Sequence, residues 1–146
     1  MKQITLINSL FILLLIGLLF SCDDSLDIQE KYSFRVETMP VQENIQQGET
    51  AEIRCELIRE GKYKNTIYTI RYFQLDGKGM LQDEDGTVFL PNDRYLLGKE
   101  IFILYYTSQS NEQQSIDIIV EDNFGQWFDL SFSFNPESEK DNEKEE

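Results

Sequence analysis

Apolar and polar side chains alternate with a period of two through much of the stretch from residue 32 to residue 135. Ala51, Ile53, Cys55 and Leu57 are separated by Glu52, Arg54 and Glu56. Ile116, Ile118 and Val120 alternate with Asp117, Ile119 and Glu121, and Phe128, Leu130, Phe132 and Phe134 with Asp129, Ser131 and Ser133. A period of two sends successive side chains to opposite faces, so each run predicts a half-buried antiparallel strand. Tyr32 to Met39 and Thr66 to Phe73 carry the pattern more weakly, with Phe34 and Val36, then Tyr68, Ile70 and Tyr72, directed inward. Ile101 to Tyr106 is apolar throughout and predicts a central strand. Val88 to Leu90 predicts a short edge strand, because Pro91 cannot donate to a ladder.

Turn-forming residues punctuate these runs at Gln47-Gly48, Glu60-Gly61, Asp76-Gly77, Asp85-Gly86, Asn92-Asp93, Gly98 and Asn123 to Gly125. Asp122-Asn123-Phe124-Gly125 predicts a hairpin in which the glycine supplies positive φ. About seven strands, with no stretch of helical period, predict an all-β chain folded as an immunoglobulin-like antiparallel β-sandwich. The antibody-type signature is absent: Cys55 is the single core cysteine, and the only tryptophan, Trp127, opens the last strand rather than the third.

The N-terminus reads as an address. Lys2 precedes an apolar run from Leu10 to Phe20, which ends at Leu19-Phe20-Ser21-Cys22. That ending resembles the bacterial lipobox, in which the cysteine receives lipid. The run also lies at the short edge for an uncleaved membrane anchor. The expected organisation is therefore a lipoprotein signal peptide over 1–21, an acidic tether over 22–31, the sandwich over 32–135 and a disordered acidic tail over 136–146. With Cys22 acylated, Cys55 is left as the only free thiol and reads as a small buried hydrophobe. Asp24-Ser25-Leu26 in the tether resembles a three-residue glycosylation sequon of some anaerobic bacteria.

Charge and composition narrow the chemistry. The 146 residues hold 27 acidic and 13 basic side chains and no histidine, for a net charge of −14. Such a chain is repelled by phosphate backbones and by anionic lipid faces, so neither a nucleic acid nor an anionic lipid surface is an expected partner. Without histidine there is no Ser-His or Cys-His pair and no imidazole ligand. Asp83-Glu84-Asp85-Gly86 suggests a calcium loop, but the first and twelfth positions of an EF-hand aligned on Gly86 fall on Leu81 and Asn92. No metal, no cofactor and no enzymatic activity are expected. The aromatic residues exceed what the alternating faces need. Tyr63, Tyr95, Tyr105, Phe124 and Trp127 fall in turns, at strand starts or on second faces, where they either cover the sandwich or serve a protein or glycan surface.

Long phrases of the chain carry a family resemblance. YSFRVETMPV, QQGETAEIRCELIREGKY, YTIRYFQLDGKG, DGTVFLPNDRYLL, LYYTSQSNEQQSIDIIVEDNFGQ and LSFSFN together resemble the TraQ-type family of conjugative-transposon lipoproteins from Gram-negative gut anaerobes. The resemblance implies a member of the conjugation apparatus of the donor envelope, and with the lipobox the expected reading is an exported protein, lipid-anchored in the cell envelope at the outer membrane, that binds other protein components of the conjugation machinery. It implies no catalytic residue. FLPNDRY and VEDNFGQ, with the tryptophan that follows, contain many residues the core does not need. Asn92, Asp93, Arg94, Tyr95, Asn123, Phe124, Gln126 and Trp127 are therefore the candidate partner surface, with turn chemistry as the competing explanation. A glycan-binding surface lipoprotein and a surface-exclusion or inhibitor lipoprotein are the alternative functions.

Overall fold

The computed structural model describes residues 31–136, together with the isolated Gln3. The expected signal peptide, Cys22, the tether up to Glu30 and the tail beyond Pro136 lie outside the described residues.

Among the described residues nine strands form: β1 (Phe34–Thr38), β2 (Thr50–Arg59), β3 (Tyr68–Asp76), β4 (Gly79–Asp83), β5 (Val88–Phe89), β6 (Tyr95–Leu97), β7 (Ile101–Ser108), β8 (Gln114–Asp122) and β9 (Trp127–Phe134). They build a five-stranded sheet in the order β1-β2-β7-β4-β5 and a four-stranded sheet in the order β6-β3-β8-β9. Every strand pair is antiparallel. The order β1-β2-β7-β4 facing β3-β8-β9 follows the A-B-E-D and C-F-G sheets of an immunoglobulin constant-type sandwich. β5 and β6 extend one edge of each sheet.

The alternation of the sequence is the alternation of burial. Ala51, Ile53, Cys55 and Leu57 from β2, Tyr68, Ile70 and Tyr72 from β3, and Ile116, Ile118 and Val120 from β8 all lie in the core. Phe128, Leu130 and Phe132 pack against it from β9, which closes on the fully buried Phe134. Three aromatic pairs join the two sheets. Phe34 meets the Tyr68 ring edge-on at 5.0 Å, Tyr106 stacks on Phe134 at 4.6 Å, and Phe89 stacks on Tyr95 at 4.3 Å. Such pairs add about 0.5–1.5 kcal/mol each beyond the area they bury.

Nine strands exceed the seven expected because β4 and β6 are too short to show a period. β4 buries only Leu81, and β6 places Tyr95 and Leu97 against the core from a three-residue edge. The chain crosses between sheets at Asp76-Gly77, where a side chain on Gly77 (φ +67°) would meet Gln114 Cγ at 2.5 Å and the Gln113 carbonyl at 2.7 Å. Beneath this crossing, the Tyr106 hydroxyl donates to Gln114 Oε1 at 2.9 Å and accepts from Gln74 Nε2 at 2.9 Å. The buried Gln114 amide then donates to Ser108 Oγ at 2.7 Å, so these side chains satisfy one another, while Ser110 Oγ beside them is buried without a hydrogen-bond partner.

Candidate interaction surface

The β8–β9 hairpin is organised by one carboxylate. Asp122 is 8% exposed. Its Oδ1 accepts the backbone N–H of Phe124 at 2.9 Å and of Gln126 at 2.7 Å, and its Oδ2 accepts Gln126 Nε2 at 2.7 Å. Gly125 takes φ +79°, as the turn requires. Gln126 Nε2 donates also to the Tyr32 carbonyl at 2.9 Å, tying the start of the described chain to this hairpin. Asn123 reaches the other way: its Oδ1 accepts the Ile67 N–H at 2.8 Å, and its Nδ2 donates to the Asn65 carbonyl at 3.1 Å.

The loop between β5 and β6 is held just as locally. Asn92 sits at φ +66°, donates its backbone N–H to the Tyr72 carbonyl at 2.8 Å and accepts from Arg71 Nη1 at 3.2 Å through its side chain. The Tyr95 hydroxyl accepts the Leu90 N–H at 2.8 Å while its ring stacks on Phe89. Asn92, Tyr95, Asn123 and Gln126 therefore have their side chains occupied by the fold. Asp93, Arg94, Phe124 and Trp127 do not shape a turn in this way. Phe124 leans on Tyr63 with ring centroids 6.0 Å apart, and Trp127 is 64% exposed.

The two sequence segments meet across Glu121. Its Oε2 accepts Arg94 Nε at 2.8 Å and its Oε1 accepts Arg71 Nη2 at 2.6 Å. Trp127 stands opposite Glu121 in the β8–β9 register, and Leu96 opposite Thr69 in the β3–β6 register. An open cleft of about 440 Å³ results, lined by Ile67, Thr69, Arg94, Glu121, Asn123 and Trp127 among others. Ile67, Thr69, Arg71 and Glu121 escaped the sequence reading. Their only signal was an outward register on β3 and β8, which becomes informative once β6 is known to lie beside β3. Asp83-Glu84-Asp85-Gly86 is the β4–β5 hairpin tip: Asp83 Oδ1 accepts the N–H groups of Asp85 and Thr87 at 3.0 and 2.7 Å, and Lys99 pairs with Glu84 and Asp85.

Burial raises the Cys55 thiol from its ordinary 9.0 up to about 12, which keeps it protonated and unreactive. Tyr68, Tyr72 and Tyr106 are raised by the same desolvation. Hydrogen bonding from Arg59, then from Lys62, holds the Glu100 carboxyl below its usual range. Among the described residues no three His, Cys, Asp or Glu side chains are grouped to hold a metal. The site thus sets one carboxylate between two guanidinium groups, beside the exposed Trp127 ring.

Fold and surface together define an all-β, immunoglobulin-like sandwich protein. The family model of TraQ conjugal transfer proteins matches residues 3–137, and the chain belongs to that family. It is 51% identical to a conjugative transposon lipoprotein of Bacteroides eggerthii, whose crystal structure aligns over 72% of this chain and 99% of its own with a TM-score of 0.68. A lipoprotein of Bacteroides thetaiotaomicron is 54% identical over 84% of this chain and 94% of its own, with a TM-score of 0.68. A conjugate transposon protein of Bacteroides vulgatus is 50% identical over 84% of this chain and 99% of its own, with a TM-score of 0.65. No protein of curated function matches the chain.

Proposed function

We propose that this protein is a non-catalytic, protein-binding component of a conjugative transposon's transfer apparatus, exported and held at the outer membrane by lipid on Cys22. The observation that carries the reading is the family match, which runs from residue 3 through the sandwich to residue 137. The lipobox ending at Cys22 and the lipoprotein descriptions of two relatives support the anchor. The cleft holding Arg94 and Glu121 supports docking, because arginine is enriched where protein surfaces meet. Lipid would confine the protein to a plane and raise its effective concentration near other envelope components.

The test is transfer frequency in a donor that lacks the gene. Complementation by the intact gene should restore transfer, while Cys22→Ala and Arg94→Ala versions should restore little. Unchanged transfer in the deletion strain would sink the proposal.

A further inference from the structure

The end of the sandwich from which the tether leaves differs from the rest of the molecule. β1 and β3 begin at this end, β2 and β8 finish there, and β9 starts there. Tyr32 fixes the tether's exit point, because its carbonyl accepts Gln126 Nε2 and its ring packs directly on Gly61. The loop before β3 and the β8–β9 hairpin are clamped to each other by Asn123 and by the Tyr63–Phe124 contact. They therefore present one continuous surface beside the exit.

That surface combines exposed apolar side chains with lysines and arginines that are met by about as many acids, Glu121 and Asp122 among them, on a protein that is acidic as a whole. Of the eight large apolar side chains left open among the described residues, Ile67 (52% exposed), Leu96 (76%), Ile101 (70%) and Trp127 lie at or near this end, and Met39, Leu75, Val88 and Leu90 lie elsewhere. The stretch from Arg59 to Thr66 holds Arg59, Lys62 and Lys64 against the single acid Glu60. Lys31 begins the described chain beside them, and Glu100 pairs with Arg59 and Lys62. The opposite end is the more acidic of the two. There Lys78 stands among Glu43, Glu49, Asp76 and Glu112, and a tail with six acids follows Pro136.

From this polarity we infer that the tether end is a seat for the membrane surface, which holds the domain upright on the bilayer with the acidic end outward. The inference rests on the lipid at Cys22. Ten residues separate Cys22 from Tyr32, so even fully extended the tether reaches about 35 Å. A ten-residue strand such as β2 is itself about 33 Å long. The far end cannot turn to the bilayer without drawing the tether nearly straight along the domain. Tyr63, Phe124 and Trp127 suit the interfacial layer, where an amphipathic ring keeps one edge wet, and Lys62 and Lys64 suit anionic headgroups. The tether's acids oppose that attraction, so the rings and Ile67 carry the larger share of the contact.

Trp127, the only tryptophan, makes the test direct. The full lipidated protein is reconstituted in vesicles of equal parts phosphatidylcholine and phosphatidylglycerol, with lipids brominated near the headgroup as quenchers. Trp127 emission should be quenched. A Lys62→Glu/Lys64→Glu variant and a Phe124→Ser variant should float with the vesicles as before yet lose the quenching. Each lysine lost should weaken seating about fivefold, and the glutamate put in its place by about as much again. Protein that floats with unquenched Trp127 would overturn the seat while leaving the anchor in place. Quenching that persists in both variants would also overturn it. Protein that does not float refutes the lipid on Cys22, and the seat with it.

Discussion

Replacing Asp122 by alanine tests whether one buried carboxylate holds the hairpin that both the cleft and the tether exit depend on. The substitution removes three hydrogen bonds, from the amides of Phe124 and Gln126 and from Gln126 Nε2. Bonds to a charged acceptor are worth about 1.5–3 kcal/mol when both groups are enclosed. Here the donors are half-buried and can turn partly to water, so they cannot be summed at full value. A loss of about 2–3 kcal/mol is expected, toward the upper part of the usual range for single substitutions. For a domain of this size that lowers Tm by roughly 10–20 °C. Urea unfolding is the assay, read as a lower midpoint at constant slope. Amide exchange at Phe124 and Gln126 should quicken before the rest of the chain opens. Asp122→Asn separates charge from geometry. It keeps an acceptor for both amides but sets an NH₂ against Gln126 Nε2, so Gln126 must either flip and release the Tyr32 carbonyl or lose its bond to residue 122. About 1 kcal/mol should be lost in that case. If alanine costs less than about 0.5 kcal/mol, the range of an ordinary surface change, the carboxylate does not organise this end.

Further expectations concern the core. Tyr106→Phe deprives the buried Gln114 carbonyl of its donor and should cost about 1–3 kcal/mol by urea titration, whereas an unchanged midpoint would mean that water replaces the hydroxyl. Gly79→Ala drives a methyl into the Tyr106 ring and should destabilise by a similar ~1–3 kcal/mol, seen as a lower Tm. Cys55 should resist iodoacetamide in the folded protein and react once urea unfolds it. Its folded value lies above the ordinary 9.0, so the stability from burying the neutral thiol is complete below pH 9 and is lost as the pH rises toward about 12. The raised Tyr68, Tyr72 and Tyr106 act in the same direction, so the urea midpoint should fall on the alkaline side, less steeply in Cys55→Ala.

β2, β8 and β9 were legible in the sequence because each has one face in the core and the other in water, which forces the period of two that the chain displays. The glycine turns were legible for a local reason as well: Gly48, Gly77, Gly86 and Gly125 all sit at positive φ. The candidate surface was harder to read, because an asparagine in a turn and an asparagine at an interface are the same residue. Asn123 is taken up by Ile67 and Asn65, more than fifty residues earlier in the chain. Only the pairing of β3 with β8 brings those groups together, and no local pattern encodes that pairing. Arg94 and Trp127 come to one cleft for the same reason, through the register that puts Glu121 between them.

β7 shows how a correct strand assignment can hide a second message. Its apolar run predicted a central strand, and it does lie between β2 and β4 with Phe102, Leu104 and Tyr106 in the core. A central place in a sheet, however, protects only the backbone edges. It says nothing about what covers the outer face. Ile101, Ile103 and Tyr105 point away from the core, and Ile101 is open to solvent at the tether end. An outward isoleucine there contributes little to folding, since its surface stays wet. It would contribute if that end met an apolar layer, and the same holds for Ile67, Leu96 and Trp127. Continuous hydrophobicity in a strand thus combines two demands, burial within the fold and contact outside it. Removing the outward methyl groups separates them: Ile101→Thr should leave the urea midpoint nearly unchanged while weakening the quenching of Trp127 on vesicles.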